Sequence, residues 1–492
     1  MSRYLKIVLV IVLLGLGLGL RLYDLTDQPI DFHPTRQLRG ALIARGMYYQ
    51  MLPNVDPAAR KLAVDFANTT GQYEPSIIEK IVAYTYLLMG GEHLWVSRIY
   101  TSLFWIIGGL ALFDLARRMT SFGGGLVALG YFLVLPFAVQ ASRSFQPDPG
   151  MVMWIVLTVY FLFRWSEKRS WLWALLAGVA GGVGILTKVV AGYMVAGAAI
   201  ALVLYTLGFK RFWRSLQVWV MALMMVTPSV IYYTSREGRA SQYVTGWTIS
   251  LSHLLIEPSF YVRWLNLVQS LMGLVPLILA LIGVLISRPR NRILLVGLWA
   301  GYAAYGFFVP YQMYTHSYYH LPLVPMIALS LAPVAQLVID RLALQGRIWQ
   351  VIAIGVILVA LIFPAWVTIS GFKKDNYRGE PAYWQAIAAQ LPGDGKIIAL
   401  TQDYGYRLEY YGWRRVRLWP NNGEQNLASL RGVSKKFEDQ FAKLTADKSY
   451  FLITAFAQLD NQPVLKQYLA DHYPLSAKGE GYLIYDLHNP IK

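Results

Sequence analysis

The chain has 492 residues, of which 56% are hydrophobic and only 14% charged, and its mean hydropathy is +0.41. Soluble domains run at about 25% charged, so an ordinary soluble enzyme is excluded; near-average glycine and proline usage excludes a disordered or fibrous chain, and the absence of cysteine excludes disulfides, thiolate metal sites and cysteine nucleophiles. Lys+Arg 44 against Asp+Glu 27 gives a net charge of +17, which in a membrane protein is first a topology signal and needs no nucleic-acid partner.

A membrane helix needs roughly 20 mostly apolar residues. About eleven segments qualify on that measure: residues 4–22, 93–116, 122–141, 149–165, 171–188, 190–209, 213–234, 260–286, 293–312, 319–339 and 348–370. In the first, Arg21 and Leu22 follow the apolar core without a small-residue cleavage site, so it reads as a retained anchor and not a signal peptide. With the N-terminus in the cytoplasm, the short cytoplasmic turns carry Arg117 and Arg118; Arg164, Lys168 and Arg169; Lys210, Arg211 and Arg214; Arg288, Arg290 and Arg292; and Arg341 and Arg347. Only Glu167 and Asp340 oppose them, which is the positive-inside pattern. Eleven crossings then place the C-terminus outside.

Three outer segments are long: residues 23–92, residues 235–259 and a tail from 371 to 492. The tail alternates helix signals (Ala382–Leu391, Asn426–Leu444, Val464–His472) with strand signals (Lys396–Leu400, Val416–Trp419, Tyr450–Thr454, Gly481–Leu487), the pattern of a small α/β domain. Two domains are therefore expected: a polytopic α-helical membrane domain over 1–370 and an extracytoplasmic α/β domain over 371–492.

Carboxylates are nearly missing from the helix interiors. Asp114 is the exception, beside Arg117 and Arg118. Ion-coupled carriers keep acids near the bilayer midplane, so their scarcity counts against that class. The informative polar residues lie at the outer surface instead. Asp31-Phe32-His33-Pro34-Thr35-Arg36-Gln37 follows the first helix closely and opens an amphipathic stretch to Met51. Leu38, Leu42, Met47 and Tyr49 would lie on lipid while Arg36, Arg39 and Arg45 face headgroups, as in an interfacial helix. Asp31 reads either as the cap of that helix or as a catalytic acid. Asp148, between Pro147 and Pro149 at the mouth of the fourth helix, has the same two readings. Lys188, closing Gly184-Ile185-Leu186-Thr187-Lys188, either snorkels to the interface or meets a phosphate there. His316 and His320, four apart among tyrosines, suit a phosphate or sugar contact, or a metal if further ligands join them.

This ordered set resembles the GT-C superfamily of integral-membrane glycosyltransferases: the first-loop acid, the helix ending Tyr48-Tyr49, Glu74-Pro75-Ser76, Val96-Ser97-Arg98, Leu135-Pro136 with Asp148, Leu186-Thr187-Lys188, and His320-Leu321-Pro322-Leu323-Val324-Pro325. It is most similar to the branch of protein O-mannosyltransferases and aminoarabinose lipid A transferases, glycosyltransferase family 39, over about residues 4–370. The resemblance implies the GT-C fold with interfacial helices in the first outer loop. It implies a sugar donor on polyprenyl phosphate and an acceptor hydroxyl on a protein, lipid or glycan, with transfer on the outer face of a bacterial inner membrane. It makes Asp31 and Asp148 the catalytic acids, and Lys188, His316, His320 and Arg36 the donor-phosphate contacts. His33, Tyr48, Glu74 and Tyr319 become the substrate contacts. Where many relatives carry an Asp-Glu pair, Phe32-His33 follows Asp31 here, and His316 replaces a usual basic residue.

Such a reaction needs a carboxylate to take the acceptor proton and positive charge on the departing phosphate. Asp31 fits the first role. With several cations for the second, no cofactor or metal is expected to be required. The competing classes are a carrier or flippase for lipid-linked sugars and an O-antigen-type ligase. A flippase would carry its charges deep in a central cavity, and a ligase would carry one very large outer loop late in the membrane region.

Overall fold

The computed structural model describes residues 2–71, 73–235, 239–392, 396–433 and 436–491. Residues 236–238 of the second long loop, and residues 434–435 within the helix expected over Asn426–Leu444, lie outside the described residues. The chain divides into two compact units, one of Met1–Leu25, Gln72–Ile78 and Trp95–Asp375, the other of Thr26–Gly71, Glu79–Leu94 and Asn376–Lys492.

The first unit is helical. Among the described residues, six helices are long and apolar enough to cross a membrane: Arg3–Leu22, Trp95–Met119, Asp148–Lys168, Leu216–Thr234, Ser317–Ala343 and Arg347–Lys374. Two shorter apolar helices are Trp171–Thr187 and Ala191–Leu207. Two of the straight spans expected from hydropathy are broken. Residues 122–141 form Phe122–Val134 and Pro136–Arg143, bent by 61°, and residues 260–286 form Pro258–Met272 and Leu274–Ile286, bent by 98°. Gly273 makes the sharper corner at φ 82°, a conformation open to a residue without Cβ. At the other break Leu135 is extended because the following proline disfavours the helical conformation.

The proline break has a hydrogen-bonding cost that the unit meets with side chains. Pro136 has no N–H to give the Phe132 carbonyl, and Trp105 Nε1 donates to it instead at 3.0 Å. The Leu133 carbonyl, also left over, accepts from Arg21 Nη1 at 2.9 Å. Arg21 is fully buried; its Nε donates to Ser142 Oγ at 2.6 Å and Nη1 also to the Gly17 carbonyl at 2.7 Å. Two further buried arginines hold the chain where it leaves the first helix. Arg98 Nη1 donates to the Leu25 carbonyl at 3.1 Å and Arg143 Nη2 to the Asp24 carbonyl at 3.1 Å.

The second unit joins the first-loop helices Pro34–Met51 and Pro57–Thr69 to an α/β domain. Its sheet contains β1 (Ile397–Leu400), β2 (Val416–Leu418), β3 (Tyr450–Ile453), β4 (Leu475–Gly479) and β5 (Tyr482–Asp486) in the order β2-β1-β3-β5-β4. The first three are parallel and the last two antiparallel. Ile398, Leu400, Trp419, Phe441, Phe451, Ile453, Leu465 and Leu469 make its core. The helix expected over Asn426–Leu444 is two, Asn422–Leu430 and Phe437–Thr445, and β4 is a strand that the sequence Leu475-Ser476-Ala477-Lys478-Gly479 did not announce.

The Pro34–Met51 helix departs from the interfacial reading. Leu38, Leu42, Arg39 and Arg45 are all buried. Arg39 Nε donates to the Gly71 carbonyl at 2.5 Å. Arg45 pairs with Glu92 at 2.9 Å, donates to the Tyr410 carbonyl at 2.6 Å and lies 3.6 Å from the Tyr410 ring centroid and 4.5 Å from that of Trp413. A guanidinium with a carboxylate, a carbonyl and two aromatic faces has its charge satisfied without headgroups. The loop before this helix is tied to the same domain. Both Asp27 oxygens accept from the Tyr377 N–H at 3.1 and 3.0 Å, and Tyr411 Oη donates to Gln28 Oε1 at 3.0 Å.

Glu409 lies in the Tyr406–Gly412 helix of this unit and is buried. Burial pushes its carboxyl up to about 7, against the opposing pull of the Val416 N–H and Arg415. A folded pKa above the unfolded one means that the group's stabilising contribution is full below 4.5 and is lost as pH rises through about 7. Glu409→Gln is therefore expected to melt above the parent protein at about pH 8, the two curves meeting at about pH 4. Melting temperatures measured across that range check it; a constant difference at every pH would contradict it.

Candidate functional site

The first unit brings Asp148 and Lys188 together. Asp148 is the first residue of its helix, after Pro147, and is 1% exposed. Lys188 is the C-cap of the Trp171–Thr187 helix, whose Gly184 lies against Trp154 of the Asp148–Lys168 helix; a Cβ on Gly184 would stand 3.1 Å from the Trp154 Cβ. Small residues let membrane helices approach this closely. The approach delivers Lys188 Nζ to Asp148 Oδ1 at 2.8 Å, with both side chains buried. Neither capping nor snorkelling describes this pair. The helix N-cap is Pro147, without a side-chain cap bond, and Lys188 is turned inward onto a carboxylate.

Tyr318 and Tyr319 complete the surroundings, each ring centroid 5.0 Å from Lys188 Nζ. Tyr319 stacks on Tyr305 at 6.0 Å. His316, half-buried, has Nδ1 2.7 Å from Thr315 Oγ1 and its ring 5.9 Å from that of Tyr319. His320 is different. It is fully buried, with Nε2 2.9 Å from the Met313 carbonyl and Nδ1 2.7 Å from Tyr302 Oη. A carbonyl can only accept, so Nε2 carries the proton and Nδ1 accepts from the phenol. Trp264 Nε1 donates to the same phenol oxygen at 3.0 Å. With both nitrogens engaged internally, the imidazole holds the turn between two helices and has no nitrogen left for a phosphate. Glu74 is half-buried in the segment before the Ile77–Met89 helix.

The second unit holds Asp31, His33, Arg36 and Tyr48. Asp31 is half-buried and its Oδ1 accepts from Gln37 Nε2 at 3.1 Å; Gln37 also donates to the Phe32 carbonyl at 2.7 Å. The N-cap of this helix is His33, not Asp31, and it has no side-chain cap bond. His33 takes a left-handed conformation, φ 45° and ψ 68°, which is costly for a residue with a Cβ and is found where function or packing enforces it. Arg36 is half-buried in the first turn. Tyr48 is buried edge-on against Tyr49 and Tyr86, and burial followed by the nearby Glu92 raises its phenol pKa, so it stays protonated.

Sequence reasoning missed a second strained segment in this unit. Asp403 and Tyr404, just after β1, have φ 51° and 56°. Asp403 accepts from Thr35 Oγ1 at 3.2 Å and from Arg407 Nε at 2.5 Å, and Arg407 pairs with Glu380 at 3.1 Å. The turn thus lies at the carboxyl end of a parallel strand, between connections that leave in opposite directions, where α/β sheets place ligands. Consecutive non-glycine residues at positive φ leave no mark in composition. Among the described residues no group of three or more His, Asp or Glu side chains stands close enough to hold a metal ion.

The His320 geometry gives a direct expectation. His320→Phe leaves the Met313 carbonyl unpaired and is expected to cost about 1–3 kcal/mol for each buried group so exposed. Polyprenyl-phosphate affinity of the folded protein should change by less than about threefold, under 1 kcal/mol. A variant of normal melting temperature that has lost that affinity would return His320 to the phosphate.

Residues 74–232 match the sequence model of the family described as dolichyl-phosphate-mannose-protein mannosyltransferase. No curated protein sequence matches the chain significantly. Among solved structures, ArnT from Cupriavidus metallidurans bound to undecaprenyl phosphate is similar at 17% identity and TM-score 0.59, covering 98% of this chain and 97% of that one. The archaeal oligosaccharyltransferase AglB from Archaeoglobus fulgidus, in complex with an inhibitory peptide and a dolichol-phosphate, is similar at 12% identity and TM-score 0.58, covering 98% of this chain and 74% of that one. The fold is the GT-C fold of these integral-membrane proteins, and the family match and the fold together indicate a glycosyltransferase of the GT-C type, similar to the family 39 branch.

Proposed function

We propose that the chain moves a sugar from a polyprenyl-phosphate donor to an acceptor hydroxyl of a protein, lipid or glycan, on the extracytoplasmic face of the membrane, by a single displacement that inverts the anomeric centre. The observation that carries the reading is the buried Asp148–Lys188 pair, which falls inside the segment matched to a lipid-phosphate-sugar transferase family. ArnT and AglB, which share the fold, were solved with undecaprenyl phosphate and dolichol-phosphate, and this supports the donor class.

The residues divide the chemistry as follows. Asp31 takes the proton of the acceptor hydroxyl; Gln37 orients one of its oxygens. Lys188 and His316 of the helical unit stabilise the charge that develops on the departing phosphate. An ammonium has three N–H donors, so the bond from Lys188 to Asp148 leaves others for a phosphate oxygen. Asp148 fixes Lys188 in position. The carrier reading has less support, because Asp114 in the Trp95–Met119 helix is neutralised by Arg117 and Arg118 and accepts from Tyr160 Oη.

Purified protein incubated with synthetic polyprenyl-phosphate sugars is expected to release polyprenyl phosphate, and to do so in excess chelator. Asp31→Asn keeps the size and much of the hydrogen bonding but cannot take a proton. It should retain its melting temperature and donor binding while turnover falls about 10²–10⁴-fold. Near-normal turnover of a stable Asp31→Asn protein would remove Asp31 as the base.

A further inference from the structure

The turn before Asp148 carries a glutamine whose side chain the fold does not use. Gln146 is 1% exposed, and its main-chain N–H donates to the Ser144 carbonyl at 2.8 Å. Its side-chain Nε2 and Oε1 both lack a hydrogen-bond partner among the described residues. Two residues later Asp148 shows the same pattern at one atom: Oδ1 accepts from Lys188, and Oδ2 has no partner. One short turn at the head of one helix thus presents a buried N–H donor and two buried oxygen acceptors, all unsatisfied. Each such group costs about 1–3 kcal/mol when nothing pairs with it. Buried polar groups in proteins are nearly always paired; other buried side-chain atoms of the described residues also lack a partner, but orphans on two residues of one turn, beside an ion pair, point to a ligand that pairs with them.

The donor and acceptor pattern selects the ligand's chemistry. A phosphate near neutral pH offers almost solely acceptors; it would meet the amide nitrogen and leave both oxygens unpaired. An apolar lipid tail pairs with none of the three. A hydroxyl donates and accepts at once, and two neighbouring hydroxyls match all three atoms. We propose that the Gln146–Asp148 turn reads the hydroxyls of the sugar ring that is transferred, with Gln146 as a specificity-determining contact. This rests on the glycosyl-transfer reading above. Sites built to hydrogen-bond a substrate hydroxyl discriminate strongly against analogues that lack it, because their buried polar groups are then left unpaired.

The test uses Gln146→Met and Gln146→Leu, both close to glutamine in volume, in the full-length protein. Three quantities are measured: the melting temperature, kcat/KM for a panel of synthetic polyprenyl-phosphate hexoses and pentoses, and the Kd for undecaprenyl phosphate, which has no sugar. Removing an unsatisfied buried amide removes a penalty, so the melting temperature is expected to hold or rise. The kcat/KM should fall by about 10- to 100-fold on the preferred sugar, the loss of one or two hydroxyl hydrogen bonds. A deoxy sugar lacking the hydroxyl that Gln146 reads should show a smaller difference between parent and variant. The Kd for undecaprenyl phosphate should not change.

A fall in melting temperature in both variants shows an internal structural role and overturns the proposal. A parallel loss of undecaprenyl phosphate affinity makes Gln146 a phosphate contact and also overturns it. Normal kcat/KM in the variants of an active parent overturns this proposal alone. A parent protein that turns over none of the donors overturns the transferase reading and this proposal with it.

Discussion

A lysine and an aspartate 2.8 Å apart, both almost completely shielded from water, are the constraint around which the helical unit is arranged. Such a pair gains little net stability, because the desolvation of two ions offsets most of their attraction. Its consequence is geometric. Asp148 can be buried at the head of its helix only if Lys188 arrives there, and Lys188 arrives because the Trp171–Thr187 helix packs closely at Gly184 and then ends. The rings of Tyr318 and Tyr319 face the ammonium, and the internal bonds of His320 fix the turn that carries them. The unsatisfied atoms of Gln146 and Asp148 belong to this same arrangement.

Arginine plays a recurring part in both units. Arg21, Arg98 and Arg143 in the helical unit and Arg39 and Arg45 in the other are buried, and each donates to at least one main-chain carbonyl. The planar, multiply donating guanidinium suits this work, since it can satisfy carbonyls that a broken helix or an irregular loop leaves over. The break at Pro136 would otherwise leave the Phe132 and Leu133 carbonyls unpaired in an apolar setting, where each costs several kcal/mol. Trp105 and Arg21 take one each. In the second unit Arg45, together with the Thr35–Asp403 and Gln28–Tyr411 hydrogen bonds, ties the first-loop segment to the α/β domain, so the segment bearing Asp31 is ordered by residues far along the chain.

The apolar runs were legible in the sequence because a bilayer demands both length and composition. Their bends were not, since hydropathy averages over the residue that turns the chain; Pro136 and Gly273 were visible as letters but silent in the average. Asp148 stood out between two prolines and Lys188 at the end of a glycine-rich helix. That they pair, 40 residues apart, is a property of helix packing that no local pattern encodes. The histidines illustrate the reverse case: spacing suggested a shared role, whereas burial makes His320 an internal tie and leaves His316 half-buried. Charge periodicity also misled in Pro34–Met51, because the arginines there find acids, carbonyls and aromatic faces within the protein. Strand β4 escaped notice because its residues have little strand preference and it pairs only at the sheet edge.

The claim that the Asp148–Lys188 pair organises the site is tested most directly by a double-mutant cycle. Asp148→Asn, Lys188→Met and the double variant are compared for stability and for polyprenyl phosphate release from a polyprenyl-phosphate sugar. Lys188→Met, which strands a buried carboxylate, is expected to be the least stable, and the double variant to recover part of the loss. The coupling should be about 1–3 kcal/mol, and all three variants should lose turnover. Additivity of the two substitutions to within about 0.5 kcal/mol, together with near-normal turnover, would contradict it.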